Sequence, residues 1–335
     1  MSSPTPRIVA VGDLTADLII EVPKLPVQAD EFQVAGPIRL EPGGSANLLI
    51  LLSRLGAEAA ALGTVGTDLW GEQVLRILDA EGIEVSSIRR GGTTTVALVF
   101  VDGEGRHAFV GSFGQGEPRE LGEREQRIVI EADALFASGY SLAEARLRDL
   151  ALNALEHAGL HGIPRFFDSG PAFRNLDEAL QERAIAAIDV LLLTEEELQD
   201  LSVSGAESLL SLGVSGKSDF GPTEADGESR QTGPHTLVVK RGAAGCRIFA
   251  GGSESNGSIE VPGLAVPVRD STAAGDCFDA GYLLGYLKGW PPMACARLAN
   301  CAGAAAVQKI GGGRNVPTVE ELRRMIAGVG GGVEI

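Results

Sequence analysis

The run Asp270-Ser271-Thr272-Ala273-Ala274-Gly275-Asp276 puts a carboxylate directly behind a row of small residues, and Phe278, Leu283, Leu284 and Leu287 then recur at helical spacing. The run therefore reads as the lead-in to a helix N-terminus. Such an end binds anions: its free N–H groups point outward and the helix dipole favours negative charge. Ala273, Ala274 and Gly275 have no bulk to keep a phosphate oxygen from the backbone. Asp276 would repel an anion there, unless it takes the proton of a hydroxyl attacking phosphorus. Taken alone, it also fits an ordinary capping or first-turn acid.

Other polar residues stand at comparable places. Asp13 and Asp17 follow the apolar strand Ile8-Val9-Ala10-Val11, and Asp168 ends Pro164-Arg165-Phe166-Phe167. Open α/β sheets place ligands beyond such strand ends, although acids there also serve as turn residues. Gly43-Gly44-Ser45-Ala46-Asn47 leads into the buried helix from Leu48. The glycines let backbone approach a ligand, and Asn47 can both donate and accept, as a polyhydroxylated ligand requires. Thr194-Glu195-Glu196-Glu197 opens another helix, where three acids also satisfy the dipole. Arg241-Gly242-Ala243-Ala244-Gly245 is a tight turn between two β-runs.

Together these stretches resemble the ribokinase-type (PfkB-type) carbohydrate kinases. Asp270 to Asp276 is similar to that family's C-terminal signature, D-T-x-[GA]-A-G-D, with Ser271 where Thr is commoner. Gly43 to Asn47, with Leu62 to Asp68 and Gly71 downstream, is similar to its N-terminal signature, with one residue fewer between Gly44 and Asn47. The resemblance implies an ATP-dependent sugar kinase. Asp276 becomes the catalytic base and Ala273, Ala274 and Gly275 the anion hole, while Asp17, Asp13, Gly43, Gly44 and Asn47 become sugar contacts.

Asp168 stands where the family has D-x-N-x-R, here without the Asn, and Glu197 ends an N-x-x-E motif in which Thr194 replaces Asn. Both acids are implied to act on Mg²⁺ through water, which suits an ion that keeps several of its waters. The turn after Lys240 is similar to the nucleotide-side V-x-x-G-x-x-G loop, which implies ATP contacts at Thr194, Lys240, Gly242, Gly245, Thr272 and Asn300. Asp270, Thr272 and Gly311 are implied to hold a monovalent cation such as K⁺. Ser138-Gly139-Tyr140-Ser141-Leu142 is similar to 2-keto-3-deoxygluconate kinases and fructokinases, which favours an unphosphorylated ketose or sugar acid. A nucleoside kinase and a non-catalytic sugar- or nucleotide-binding relative are the alternatives.

The elements that must position these residues follow from periodicity. From about residue 125, short apolar runs alternate with amphipathic helices, as an α/β fold with a doubly wound, mainly parallel sheet requires. Residues 93–101 and 106–110 flank an acidic Gly turn and read as a hairpin. With the proline-punctuated stretch from Pro23 to Pro42, they suggest a small β-sheet; the resemblance makes it a lid over the sugar and the surface of a homodimer. The expected organisation is a kinase core from 1–13, 43–92 and 114–335, a β-lid from 14–42 and 93–113, and an exposed insertion at 213–234, rich in Ser, Gly and acids.

Composition limits the rest. A chain of 335 residues, 44% hydrophobic, buries a substantial core, and a formal charge of −17 without a Lys/Arg cluster argues against a nucleic-acid partner. Cys246, Cys277, Cys295 and Cys301 show no C-x-x-C spacing and read as reduced core thiols. With neither a signal-like start nor an apolar run of membrane-spanning length, the expected location is the cytoplasm. No G-x-G-x-x-G follows the first strand, which argues against a dinucleotide-dependent oxidoreductase.

Overall fold

Ile8 and Ala10 pack into one apolar cluster and Val9 and Val11 into another, so the first strand is buried on both faces. A strand of that kind belongs inside a sheet covered by helices on both sides. The computed structural model describes residues 5–201, 233–250, 258–329 and 335. All but the last two residues of the expected 213–234 insertion lie outside them.

In chain order the elements are β1 (Arg7–Glu21), β2 (Arg39–Gly44), α1 (Ser45–Arg54), β3 (Glu58–Val65), α2 (Leu69–Ala80), β4 (Glu84–Arg90), β5 (Val96–Val101), β6 (His107–Ser112), α3 (Glu123–Ile130), β7 (Ala134–Ser138), α4 (Gly139–Ala143) and α5 (Arg148–Leu160). There follow β8 (Arg165–Asp168), α6 (Glu178–Ala186), β9 (Val190–Thr194), α7 (Glu195–Asp200), β10 (Thr236–Lys240), β11 (Cys246–Ala250), β12 (Ile259–Val261), α8 (Ala274–Leu287), α9 (Pro292–Ala306) and α10 (Val319–Val329). The main sheet runs β4-β3-β1-β7-β8-β9-β10-β11-β12 and is parallel up to β10, with β11 and β12 antiparallel at one edge. Residues of α1, α8 and α9 cover one face; those of α3, α5 and α6 cover the other.

The first strand runs further than its apolar start predicts. Arg7 to Asp13 pair with β3 in the main sheet, whereas Leu14 to Glu21 pair with β2 and β5 in a small sheet of order β2-β1-β5-β6. Ala16 and Ile19 remain buried beyond the turn residues, so the chain stays extended and changes sheet instead of ending at Gly12. One continuous strand thus joins the two sheets. The hairpin is stitched to the core at its base: Thr94 donates from its amide and hydroxyl to Asp68, the N-cap of α2, and Thr95 donates to buried Glu144.

Candidate active site

Four adjacent parallel strands end in polar residues: β7 at Ser138, β8 at Asp168, β9 at Thr194 and β10 at Lys240. Register sets Ser138 beside Asp168 and Thr194 beside Lys240. All four line a cavity of about 920 Å³, which Asp17, Asn47 and Thr272 to Asp276 also line. The cavity lies at the strands' carboxyl ends, where the order reverses between β1 and β7, the usual ligand crevice of a doubly wound sheet.

At the cavity floor α8 begins. Its N-cap, Ala273, is left-handed at φ 62°, a conformation that costs an L-residue about 1–2 kcal/mol. The Ala274 amide donates to the Ser271 carbonyl at 3.2 Å, closing the turn. Among the described residues no acceptor meets the amides of Ala273, Gly275 or Asp276. Of the expected anion hole, therefore, Ala274 is engaged, and Asp276 adds an open donor. The Asp276 carboxylate accepts from Asn47 Nδ2 at 2.8 Å. Burial, then the Asp168 charge, push its pKa up, against Asn47 and Lys240, to about 6. A carboxyl titrating there is mostly ionised at neutral pH yet basic enough to take a proton.

Before the Gly242–Gly245 turn sits Lys240, buried, with Nζ 3.1 Å from Asp168 and 3.3 Å from both Asp279 oxygens. Burial alone would push this ammonium down; Asp168, Asp279 and Glu197 outweigh it and push it up. A Cβ on Gly275 would lie 3.5 Å from the same nitrogen, so the charge faces the open amides. Asp279 was not anticipated from sequence. Its signal is a lone charge in the otherwise uncharged run Cys277 to Tyr286, every residue of which is buried.

The remaining expected residues divide by what already holds them. Thr194 Oγ1 accepts from the Glu197 amide, and Glu197 Oε2 accepts from the Thr194 amide and Ser169 Oγ, a complete capping box. Burial and the Asp168 charge push the Glu197 carboxyl up. Across the small sheet Asp17 pairs with Glu41 and Gly43 with Thr15, yet the Asp17 carboxylate reaches Gly43, where a Cβ would collide with it. Gly44, the N-cap of α1, has φ 61°. Asp13 falls in β1, but its side chain lies outside the described residues.

Gly242 and Gly245 bound the cavity's turn at φ 52° and 90°. Asn300 also lines the cavity while donating to the Val261 and Pro262 carbonyls. Arg241, at the head of that turn, pairs with Glu195 and Glu260. Asp270, Thr272 and Gly311 do come together: Asp270 Oδ1 accepts from the Thr272 amide and hydroxyl, and Oδ2 from the Gly311 amide at 2.7 Å. Also unanticipated is His107 on β6, whose Nδ1 lies 3.2 Å from Ser271 Oγ and 3.9 Å from Asp270. That contact joins positions 164 residues apart, and no local pattern announces it.

A mainly parallel, helix-covered sheet with a separate small sheet defines a ribokinase-like fold. The structure of Arabidopsis thaliana ribokinase in complex with ribose and ATP superposes with a TM-score of 0.73, covering 96% of this chain and 99% of that one at 21% identity. The chain belongs to the pfkB family of carbohydrate kinases, whose family model matches residues 5–319. Among curated relatives, an ATP-dependent ribose-1-phosphate kinase of Halopiger xanaduensis is 26% identical, with 96% of this chain and 98% of the relative covered. A nucleoside kinase of Methanothermobacter thermautotrophicus is also 26% identical, with 96% of each covered.

Proposed function

We propose that this carbohydrate kinase transfers the γ-phosphoryl group of ATP to a hydroxyl of a small sugar or sugar acid, with Asp276 taking the hydroxyl proton as its oxygen bonds to phosphorus. The observation that carries this reading is the placement of Asp276: a carboxyl titrating near 6, held by a neutral amide, beside open helix-mouth N–H groups. Those amides and the Lys240 ammonium would offset charge building on the transferred group. The small sheet carrying Asp17 and Gly43 acts as a lid that orients the acceptor and keeps water from competing.

Asp168 and Glu197 fit a hydrated Mg²⁺. Asp168 is already paired with Lys240 and Glu197 with its capping partners, and no cluster of three or more His, Cys, Asp or Glu arranged to hold a metal occurs among the described residues. Such a pair acts through the ion's waters, and Mg²⁺ bound with the nucleotide supplies charge neutralisation on the phosphates. Buried Asp270, with Thr272 and Gly311, suits a monovalent cation such as K⁺. The fully exposed edge strand β6 supports pairing of two lids in a homodimer. Four buried free cysteines accord with a reducing compartment such as the cytoplasm.

A nucleoside acceptor is the second reading, favoured by His107, Phe109 and Phe113, which line the cavity from β6 and the residue that follows it. The experiment is Mg²⁺- and K⁺-supported ATP consumption over ribose, ribose 1-phosphate, fructose, 2-keto-3-deoxygluconate and nucleosides. One strong responder among the sugars is expected. A nucleoside responder selects the second reading, and ATP binding without turnover on any acceptor contradicts both.

A further inference from the structure

Asn47 is expected from its motif to touch the sugar, yet both ends of its amide are taken by protein. It is 2% exposed, near the start of α1. Nδ2 donates to Asp276, and Oδ1 accepts from the Gly313 amide at 2.7 Å. The second bond fixes the first. A backbone N–H can only donate, so the amide must present oxygen to Gly313 and nitrogen to Asp276. The turn supplying that N–H is fitted to the task. A Cβ on Gly312 would collide with Asn47 Oδ1, and Gly313 itself has φ 60°.

The turn is held in its own right. Buried Glu41, on the small-sheet strand β2, accepts from the Arg314 amide at 3.0 Å and from Arg314 Nε and Nη2, both at 2.9 Å. Gly311 meanwhile donates to Asp270, at the head of the same signature that ends in Asp276. Glu41, Arg314, Gly313, Asn47 and Asp276 thus form an unbroken chain from the small sheet to the base.

We propose that Asn47 is a positioning residue, which aims the Asp276 carboxylate, and that the Glu41–Arg314 clamp sets Asn47 through the Gly313 amide, so that the seating of the lid strand and the readiness of the base are linked. This rests on the reading of Asp276 as the base. The charged groups around that carboxylate are Asp168 from β8, Lys240 from β10 and Asp279 from α8 itself; Asn47 is its neutral donor. An N–H donated to a carboxylate favours the ionised form, so losing it raises the pKa.

The test compares wild type with Asn47→Leu, Asn47→Asp, Arg314→Gln and the Asn47→Leu/Arg314→Gln double variant. The Asp276 titration is read by ¹³C-carboxyl NMR, assigned through Asp276→Asn, alongside the pH profile of kcat/KM and nucleotide binding by direct titration. Asn47→Leu should raise the Asp276 pKa by about one to two units, on the worth of a hydrogen bond to a charged group. Nucleotide affinity should stay within about twofold while kcat falls at least about tenfold, as loss of an aligned base predicts. Asn47→Asp keeps the Gly313 bond but faces Asp276 with a carboxylate, so its shift should exceed that of Asn47→Leu.

Arg314→Gln should shift in the same direction by less, and the double variant should be no worse than Asn47→Leu alone. If Asn47→Leu does not fold, Asn47→Asp and Arg314→Gln carry the test. An unmoved Asp276 titration, with the loss confined to the acceptor KM, would overturn the proposal in favour of a plain sugar contact, and additive losses in the double variant would overturn the link. Because NMR needs no substrate, absence of kinase activity in wild type would count against the proposed reaction alone.

Discussion

Asp276 and Asp279 lie one turn apart on α8, yet the first rests on a neutral amide and lines the cavity, while the second is sealed against the Lys240 ammonium. The two sides of the floor differ accordingly. Towards the lid, a single N–H trims the basicity of the carboxylate without quenching its charge, which leaves it free to accept a proton. Towards the turn after Lys240, Asp168 and Asp279 hold one cation between them, and burial and the Asp168 charge push the Asp279 carboxyl up against the pull of that cation. A base needs the first environment and a charge clamp the second, and two carboxylates three residues apart on the same face of α8 supply both.

That contrast can be broken from either side, and the largest effect is expected at Asp276, the proposed base. Asp276→Asn should lower kcat by about 10²–10⁴-fold, measured by single-turnover transfer, with nucleotide affinity kept. It should also stabilise the fold at neutral pH. A carboxyl whose folded pKa is raised from 3.8 to about 6 contributes stability that is complete below pH 3.8 and lost as pH rises through about 6. Above that, the variant should therefore gain about 1–3 kcal/mol in denaturant unfolding.

On the other side, Lys240→Met leaves two buried carboxylates facing each other. It should destabilise by about 3–5 kcal/mol and abolish nucleotide binding, whereas Lys240→Arg should recover part of both. Asp279→Asn removes one of the lysine's anchors and keeps the other, so nucleotide KM should rise severalfold while the pH profile stays in place. A profile that moved as in the Asn47 variants would erase the distinction between the two sides. The smallest effect is expected for Ala273→Gly, which relieves the left-handed N-cap: a gain of up to about 1 kcal/mol and kcat within about twofold, read by thermal unfolding and steady-state rates.

How much of this was legible depends on how local the signal is. The parallel sheet, the hairpin and the helix beginning behind Ala273 follow from periodicity and small-residue runs, because each is decided within a dozen residues. The switch of β1 from one sheet to the other was not, since the alternation Leu14 to Ile19 reads as turn and strand in isolation and becomes one strand only when β2 and β5 flank it. Asp276 was legible as a carboxylate behind a row of small residues at a helix start. The orientation of Asn47 was hidden, because it depends on Gly313, 266 residues away. The Lys240 cluster combines Asp168, Asp279 and Glu197 from three separate elements, and only strand register and helix docking bring them to one point.

The most direct test is the pH dependence of kcat/KM with saturating Mg²⁺ and the best acceptor of the panel. Asp276 as general base predicts a logarithmic rise of unit slope below about pH 6, a plateau above it, and disappearance of that limb from the residual activity of Asp276→Asn. A profile flat through this range in wild type, or the same limb persisting in Asp276→Asn, would contradict the assignment.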